Sequence, residues 1–209
     1  MNKKAIIFDL DNTLYAAESI GDELFSYLFT LIAAEGKHDH EMENIKKDIL
    51  KKPFQQVAVK YNFSEKLSDT AIAHLKNLTF TGIMEVFKDY KYLKNLPVEK
   101  YLVTSGFVKL QLSKIKCLGI ANDFKEIHIV DVTTKQQTKK NVFTDIMLRY
   151  NYHVDEVLIV GDDVDSEIKA AQQLGIDAVL YSKAVNKKMA DGIKIIADFS
   201  ELGFICKVK

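Results

Sequence analysis

The sequence predicts an α/β fold in which a parallel sheet carries helices on both faces. Residues 5–8 form a short apolar run of strand length, and residues 100–181 alternate further apolar runs with helical segments. Such alternation is typical of a parallel sheet with crossover helices. Residues 17–80, between these regions, show helical periodicity. The predicted fold is therefore a doubly wound, Rossmann-like parallel sheet with a helical segment inserted after the first strand.

The inserted segment begins where the strand pattern changes to helical spacing. Apolar residues recur at helical intervals over residues 20–32, and a more polar helix is predicted for residues 41–51. Pro53 can open a further helix, and Ser64 is a predicted N-cap. Tyr15, at the exit toward the insertion, is a candidate substrate contact, but a connector or core role is favoured. These helices are expected to pack as a small bundle.

After the insertion, strands and helices follow one another at short intervals. A helix over residues 83–96 is stopped by Pro97, and Gly175 is a predicted helix end. The further predicted strands are 100–106, 126–130, 157–160, 176–181 and 193–196, and the further predicted helices are 107–118, 139–150 and 164–174.

The composition narrows the classes of partner. The chain has 209 residues, enough for one domain with a modest insertion, and 29 basic residues balance 29 acidic ones. We therefore expect no binding to nucleic acid or membranes. Cys117 and Cys206 match no metal-ligand or redox spacing, as is typical of a reducing compartment. No stretch resembles a signal peptide, and a cytoplasmic location is expected.

Polar residues directly follow three of the apolar strand runs, and Lys139 opens the helix beyond a fourth strand. Because ligands bind beyond the carboxyl ends of parallel strands, we expect these residues to converge at one edge of the sheet. The three pairs are Asp9 and Asp11, Thr104 and Ser105, and Asp162 and Asp163.

The first pair indicates a cation site. Asp9 and Asp11 are two residues apart, so their side chains can project from the same face of an extended chain. Two carboxylates at the end of a buried strand repel each other and lose hydration, which is costly without compensation. A magnesium ion, which favours oxygen ligands, would relieve both penalties.

These motifs resemble those of the haloacid dehalogenase superfamily, specifically its phosphatase-type members. The insertion lies where a type I helical cap belongs in that family. The resemblance therefore implies a Rossmann-like catalytic core of residues 1–16 and 81–209, with a helical cap of residues 17–80 inserted after the first strand. The start of the chain is similar to that of pyrimidine 5′-nucleotidase-like members. The matching motifs are residues 9–13 (D-x-D-x-T), Thr104, Lys139 and residues 161–163.

The resemblance implies a role for each motif residue. Asp9 would be the nucleophile that forms an aspartyl-phosphate, and Asp11 would protonate the leaving group and then deprotonate water. The proton-transfer role calls for a carboxyl whose pKa is raised by crowded acidic surroundings. Lys139 would hold the phosphoryl group by its charge. Mg²⁺ would be bound by the carboxylates of Asp9 and Asp162 and by the backbone carbonyl of Asp11.

The predicted substrate-binding residues are Thr104, Ser105, Gly106 and Asn12. Thr104 offers a hydroxyl, and Asn12 belongs to the first motif. The backbone N–H groups of Ser105 and Gly106 are expected at a helix N-terminus, which binds phosphate through unsatisfied donors and a positive dipole end.

Two assignments remain open at this point. Lys139 lies four residues before the apolar Phe143, as family members often have it, but the adjacent Lys140 is the alternative. The second acid of the fourth motif is Asp163 or Glu167, and Asp163 is also a candidate helix cap.

The predicted function is that of a magnesium-dependent phosphomonoester hydrolase acting on a small phosphorylated metabolite, as a monomer or homodimer. One alternative is a phosphomutase of the same superfamily. Another is a non-catalytic phosphate-binding or protein-binding module on the same fold. Carbon–halogen hydrolysis is disfavoured, because family members with that activity lack the second acid, whereas Asp11 is present.

Overall fold

The structure is a computed structural model that describes residues 2–134, 136–183 and 192–206. Its strands are β1 (Ala5–Phe8), β2 (Glu99–Gly106), β3 (Glu126–Asp131), β4 (Val157–Gly161), β5 (Asp177–Tyr181) and β6 (Lys194–Ile196). They form one parallel sheet in the order β3-β2-β1-β4-β5-β6. This arrangement confirms the predicted doubly wound parallel sheet, and its strand order is that of a Rossmann-type fold.

In the described chain, five helices form the insertion of residues 17–80. Ser64 caps the last of them, because its side chain accepts a hydrogen bond of 3.1 Å from the Leu67 N–H, as predicted. The single helix expected over residues 20–32 is instead divided at Phe25. The five helices are α1 (Glu18–Leu24), α2 (Ser26–Ala34), α3 (Met42–Ile49), α4 (Phe54–Lys60) and α5 (Glu65–Leu75).

The remaining described helices cover both faces of the sheet. Alternate residues of β1 point to opposite faces: Ile6 and Phe8 belong to a core cluster that also contains the insertion, whereas Ala5 and Ile7 pack against α8 and α9. In the described chain, no helix combines the length and the apolar character needed to cross a bilayer. The remaining described helices, which cover the sheet, are α6 (Tyr90–Lys94), α7 (Val108–Leu118), α8 (Lys139–Tyr150), α9 (Lys169–Leu174) and α10 (Leu202–Ile205).

The prediction of a helix over residues 83–96 is wrong for the first half of this range, because α6, in the second half, is its only α-helical part. The Phe87 N–H donates a hydrogen bond of 2.9 Å to the Leu14 carbonyl, which holds the returning chain against the segment after β1. Ile83, an apolar residue of the predicted helix, is 91% exposed. Tertiary contacts with the rest of the core therefore override the local periodicity.

The helix after β4 begins with a π-helical turn. This turn spans Val164–Ile168 and continues directly into α9. The Ile168 N–H reaches the Asp163 carbonyl five residues earlier, at 3.4 Å. Such turns are rare and are often found at functional sites. As predicted, Gly175 ends α9 with a positive φ of 69°.

Candidate active site

The motif residues meet at the carboxyl edge of the sheet, around the central strand β1. Asp9 directly follows β1, Thr104 lies near the end of β2 and Asp162 directly follows β4. The Asp9 N–H donates to the Val160 carbonyl at 2.9 Å, which extends the pairing of β1 with β4 by one residue. Lys139 reaches the same edge from the first turn of α8.

Lys139 lies at the centre of a buried ion cluster. Its Nζ is 2.5 Å from Asp9 Oδ1 and 2.7 Å from Glu167 Oε2. A capping box fixes the start of α8: the Thr138 hydroxyl accepts a hydrogen bond from the Asn141 N–H, and the Asn141 side chain accepts one from the Thr138 N–H. The cap therefore determines where the first helical residue projects, and that residue is Lys139.

The structure distinguishes the two adjacent lysines by their position. Lys139 is buried beside Asp9, whereas Lys140 is half-buried and is not in the ion cluster. Phe143, four residues after Lys139, is also buried, in the core between α8 and the sheet. Residues four apart share one helix face, so the face that packs on the sheet also directs Lys139 to the site.

The two candidate acids of the fourth motif are likewise separated. Asp163 Oδ1 accepts a hydrogen bond of 2.8 Å from the Asp165 N–H, which is the capping arrangement. Glu167 is buried and reaches Lys139. Its other oxygen, Oε1, accepts a hydrogen bond of 2.8 Å from the Asp163 N–H. The structure thus places Glu167 with Asp9, and Asp163 at the helix start.

Gly161 gives Glu167 the space that it occupies. A Cβ atom at position 161 would lie 2.1 Å from Glu167 Oε1 and 2.3 Å from its Cγ. Both distances are far below van der Waals contact, so any other residue at position 161 would displace the Glu167 side chain. The last residue of β4 is therefore glycine because an acid later in the chain packs against it.

Asp9, Asp162 and Glu167 form the acidic group that could hold a metal ion. Each offers one carboxylate oxygen, and these three oxygens lie within 4.8 Å of one another. Burial, together with the negative charge of Glu167, raises the pKa of Asp162 to about 7. Burial also raises the pKa of Asp9 well above its ordinary value, although the Lys139 charge opposes the rise. The positive charge of Lys139 therefore neutralises the negative charge of the three carboxylates only in part.

Lys139 and Glu167 stabilise each other in their charged forms. Burial alone would lower the pKa of Lys139, but the charges of Asp9 and Glu167 raise it above its ordinary value. Burial opposes ionisation of Glu167 as well, yet the Lys139 charge and hydrogen bonds lower the pKa of that carboxyl. This pair is therefore ionised at neutral pH.

Asp11 has surroundings of its own. Its Oδ1 accepts a hydrogen bond of 2.7 Å from the Lys114 Nζ and another from the Tyr15 hydroxyl, while its Oδ2 accepts one of 2.8 Å from the Gln111 Nε2. Burial opposes ionisation, but the Lys114 charge and these hydrogen bonds lower the pKa of Asp11. The expectation that acidic crowding raises this pKa is wrong, because a buried lysine lies beside the carboxylate.

The segment predicted to cradle phosphate lies partly within a strand. Ser105 and Gly106 belong to β2, Phe107 is the N-cap of α7 and the helix begins at Val108. The expectation that the N–H groups of Ser105 and Gly106 lie at the start of the helix is therefore wrong by about two residues. The Thr104 hydroxyl is buried and accepts a hydrogen bond of 2.7 Å from the Gln111 Nε2.

Asn12 shapes the turn after the first motif. Its backbone has a positive φ of 56°, a conformation that asparagine tolerates better than most residues. Its side-chain oxygen accepts a hydrogen bond of 3.1 Å from the Ala17 N–H. Asn12 also borders the site cavity. Its contact with substrate stays a prediction.

A cavity of about 540 Å³ opens above these residues. Its floor carries the motif residues at the sheet edge, and its walls come from the helical insertion and from α7. The Gln55 Nε2 donates a hydrogen bond of 3.1 Å to the Val132 carbonyl, which connects α4 with the segment after β3. The insertion therefore covers the edge where the motif residues lie. Wall residues from the insertion include Phe25, Leu28, Lys51, Lys52, Pro53 and Gln56.

Gln111 and Lys114 are not among the site residues predicted from the sequence, and for Tyr15 the sequence favours a connector or core role. The structure places all three around Asp11. Gln111 and Lys114 are three residues apart, so they share one face of the helix that follows Thr104. That spacing is a signal available in the sequence. Their contact with Asp11 has no such signal, because Asp11 lies about a hundred residues earlier in the chain.

Comparison with known proteins identifies the family. A family model described as haloacid dehalogenase-like hydrolase matches residues 6–181. A glyceraldehyde 3-phosphate phosphatase from Methanocaldococcus jannaschii is 27% identical over 202 residues, which cover 90% of this chain and 89% of that protein. The enzyme of the same name from Methanopyrus kandleri is 23% identical over 197 residues and covers 84% and 82%, respectively.

Solved structures agree with this identification at the level of the fold. The HAD-hydrolase YfnB from Bacillus subtilis, whose crystal structure contains magnesium, matches with a TM-score of 0.67. The sequence identity is 18%, and the match covers 100% of both chains. The family match over most of the chain, supported by this common fold, shows that the protein is a hydrolase of the haloacid dehalogenase-like family.

Proposed function

We propose that this hydrolase is a magnesium-dependent phosphomonoesterase that acts on a small phosphorylated metabolite through an aspartyl-phosphate on Asp9. The observation that carries the proposal is the buried cluster at the sheet edge, in which Lys139 joins Asp9 to Glu167 beside Asp162. The names of the two phosphatase relatives support the same reaction class.

The proposed reaction has two displacements at phosphorus. In the first, a carboxylate oxygen of Asp9 bonds to phosphorus, the bond to the ester oxygen breaks, and Asp11 gives that oxygen a proton. In the second, water attacks phosphorus while Asp11 takes its proton, and inorganic phosphate leaves Asp9. Lys139 supplies positive charge beside the nucleophile while negative charge accumulates on the phosphoryl oxygens. A covalent intermediate divides one difficult step into two easier ones.

The donor set fits a magnesium ion. Asp9, Asp162 and Glu167 supply hard carboxylate oxygens close together, and the raised pKa values of Asp9 and Asp162 indicate a need for additional positive charge. We propose that Asp9 and Asp162 bind the ion with the backbone carbonyl of Asp11, while Glu167 holds Lys139. A bound magnesium ion would supply charge that offsets the negative charge of the phosphoryl group.

Thr104 is the proposed hydroxyl donor to the phosphate. A threonine hydroxyl has one hydrogen to donate, and it can also accept. The Thr104 oxygen already accepts from the Gln111 Nε2 at 2.7 Å, so its own hydrogen is available for a phosphoryl oxygen. Ser105 and Gly106 remain proposed phosphate contacts through their backbone, and Asn12 a proposed contact at the cavity border.

We propose that residues 17–80 act as the cap that selects the substrate. Apolar side chains such as Phe25 and Leu28 line the cavity together with polar ones such as Gln56. The volume of about 540 Å³ is large enough for a small phosphorylated metabolite. Triose phosphates are the first substrates to test, because the two relatives are named for one of them.

The test measures phosphate released from triose phosphates, sugar phosphates, nucleoside monophosphates and phosphoglycolate, with magnesium and with EDTA. We expect release from at least one substrate, its loss in EDTA, and a rate decrease of about 10⁴-fold or more in Asp9→Asn. Asp145→Asn, at an exposed position on the outer face of α8, is a matched control that should keep the parent rate.

Other outcomes would overturn the proposal. Isomerised sugar phosphate without free phosphate would identify a mutase. An absence of turnover across the whole panel would favour a non-catalytic binding module. An Asp9→Asn variant with the parent rate would exclude the aspartyl-phosphate on this residue.

A further inference from the structure

Asp11 is enclosed by hydrogen-bond donors that the proposed reaction does not yet use. Tyr15 is fully buried, and both Gln111 and Lys114 are more than nine-tenths buried. Lys114 and Tyr15 donate to Asp11 Oδ1, and Gln111 donates to Oδ2. Gln111 and Lys114 come from α7 and Tyr15 from the segment after β1, so two parts of the chain converge on one carboxylate.

The hydrogen bonds to Asp11 occupy most of the acceptor positions of its carboxylate. An ionised carboxylate has about four lone-pair positions, two on each oxygen. Two donors fill Oδ1 and one donor occupies Oδ2, so among the described contacts one position, on Oδ2, is left. Asp11 borders the site cavity, where the leaving group and water would enter.

We infer that Tyr15, Gln111 and Lys114 are positioning residues that confine proton exchange by Asp11 to a single position on Oδ2. The inference rests on the proposed phosphatase function. By filling Oδ1, Lys114 and Tyr15 prevent rotation from presenting the other oxygen to the cavity. Gln111 holds Oδ2 from one side, so the remaining acceptor position on this oxygen points in one fixed direction.

Gln111 also connects Asp11 to the proposed phosphate contact. Its Nε2 carries two hydrogens, and it lies 2.8 Å from Asp11 Oδ2 and 2.7 Å from Thr104 Oγ1. One amide group therefore sets the orientation of both the proton carrier and the hydroxyl proposed to hold the phosphate. Loss of Gln111 should raise KM as well as lower kcat, whereas loss of Lys114 should act on kcat.

A role that served only the fold would not require a buried ammonium. Removing an amine from water is costly, and apolar side chains of similar size often stabilise a protein as well as a buried ion pair does. The Lys114 Nζ nevertheless lies 2.7 Å from Asp11, with the Lys114 side chain 7% exposed. The ammonium therefore lies where its charge acts directly on Asp11.

The test compares alkyl phosphates with an aryl phosphate such as p-nitrophenyl phosphate in Lys114→Met, Tyr15→Phe and Gln111→Met. An aryl leaving group departs without a proton. For the aryl ester, the first displacement, which kcat/KM reports, therefore does not depend on the position of Asp11, whereas for alkyl esters it does. Complete loss of general acid assistance costs about 10²- to 10⁴-fold. Misplacement of Asp11 in Lys114→Met or Tyr15→Phe should therefore lower kcat/KM for alkyl esters by about 10- to 100-fold, while kcat/KM for the aryl ester changes by less than about threefold. Gln111→Met should in addition raise KM for both ester types, because it also removes the donor to Thr104.

Lys109→Met is the matched control. Lys109 is an exposed lysine of the same helix, whose Nζ donates to Asn77 Oδ1 at 2.7 Å. Both rates should stay at the parent values in this variant. Circular dichroism of each variant checks folding, and Tyr15→Phe, which removes one hydroxyl and keeps the ring, retains the test if Lys114→Met does not fold.

A double-mutant cycle with Asp11→Asn decides whether these residues act through Asp11. If they do, Lys114→Met or Tyr15→Phe in the Asp11→Asn background should leave the ratio of alkyl to aryl rates unchanged. Equal losses for both ester types, or a further fall of the ratio in that background, would overturn the inference while phosphatase activity stands. A parent enzyme that hydrolyses neither ester would overturn the proposed function, and the inference with it.

Discussion

Two buried lysines give the two aspartates of the first motif opposite electrostatic surroundings. Burial raises the pKa of Asp9, and Lys139, which Asp9 shares with Glu167, opposes the rise only in part. Asp11 has Lys114 beside it together with neutral donors, and its pKa falls. In the metal-free site this order is the reverse of the one that the proposed roles call for, because a proton carrier needs the higher pKa and a nucleophile the lower one. A cation bound beside Asp9 would lower the pKa of that carboxyl.

The raised pKa of Asp162 predicts a pH dependence for magnesium binding. The metal-free carboxyl has a pKa of about 7, so below that pH a cation must displace a proton. The apparent Kd for Mg²⁺ should therefore increase as the pH falls from 8 to 6, by up to about tenfold per pH unit below pH 7. Isothermal titration calorimetry across this range would measure it.

The matched variant is Asp162→Asn, which removes the titrating group and keeps the side-chain size. It should bind Mg²⁺ more weakly, and the pH dependence of its affinity should be shallower by about one proton. An unchanged slope would mean that protons on other carboxyls account for the effect.

The close packing at Gly161 predicts a large effect of one added methyl group. In Gly161→Ala the new Cβ would meet Glu167 Oε1 at 2.1 Å, so Glu167 must move away from Lys139. We expect a loss of stability of about 1–3 kcal/mol, as for other overpacked sites, together with reduced phosphatase activity. Urea unfolding and phosphate release would measure the two effects.

Gly203→Ala is the control for Gly161→Ala. Gly203 lies in α10, and a Cβ there meets no atom within 4 Å. Alanine is the better helix former, so this variant should be as stable as the parent or slightly more stable. A Gly161→Ala protein with parent activity would show that Glu167 can leave its position without consequence.

Among the secondary-structure elements, α8 shows how a local signal places a buried charge. The hydrogen bonds of Thr138 with Asn141 fix the helix start, and Lys139 is the next residue after the cap. Thr138→Ala should lower the free energy of unfolding by about 1 kcal/mol, the usual effect of losing an N-cap. Chemical denaturation would measure it.

Thr144→Ala provides a matched substitution within α8. The Thr144 hydroxyl donates to the Lys140 carbonyl one turn earlier, a contact that does not stabilise a helix. Alanine there should therefore leave stability unchanged or raise it slightly. Equal destabilisation by both substitutions would assign the effect to the general loss of a hydroxyl instead of the cap.

The elements also show which parts of the structure can be predicted from sequence. α8 has the predicted bounds because its cap and its apolar spacing are local features. The prediction of a helix in the segment before α6 is wrong, because a contact with the residues after β1 holds this segment in an irregular path. The positions of Asp9, Thr104 and Asp162 follow from strand ends, and that of Lys139 follows from a helix start. The contacts of α7 residues with Asp11 depend on tertiary packing, which no local pattern reports.

For the whole molecule, the insertion and the sheet share one hydrophobic cluster. Leu28 and Ile45 from the insertion belong to the same buried cluster as Phe8 and Leu102 from the sheet. Because the apolar contacts are continuous, we expect a single cooperative unfolding transition, with equal calorimetric and van't Hoff enthalpies. Differential scanning calorimetry would test this. Two resolved transitions would mean that the insertion unfolds separately.

The π-helical turn at Val164–Ile168 can be regarded as an ordinary helix lengthened by one surplus residue. Successive residues of an α-helix are offset by about 100°, so that one residue decides whether Glu167 faces Lys139 or points away. Deleting Asp165, which is exposed, should let a regular helix form with shorter hydrogen bonds. The shortened protein should lose activity and stability together, because turning Glu167 away leaves the buried Lys139 ammonium without one of its two partners. Phosphate release and urea unfolding would measure the two effects. Here the regularity of the helix and the completeness of the site are opposing demands on a single residue.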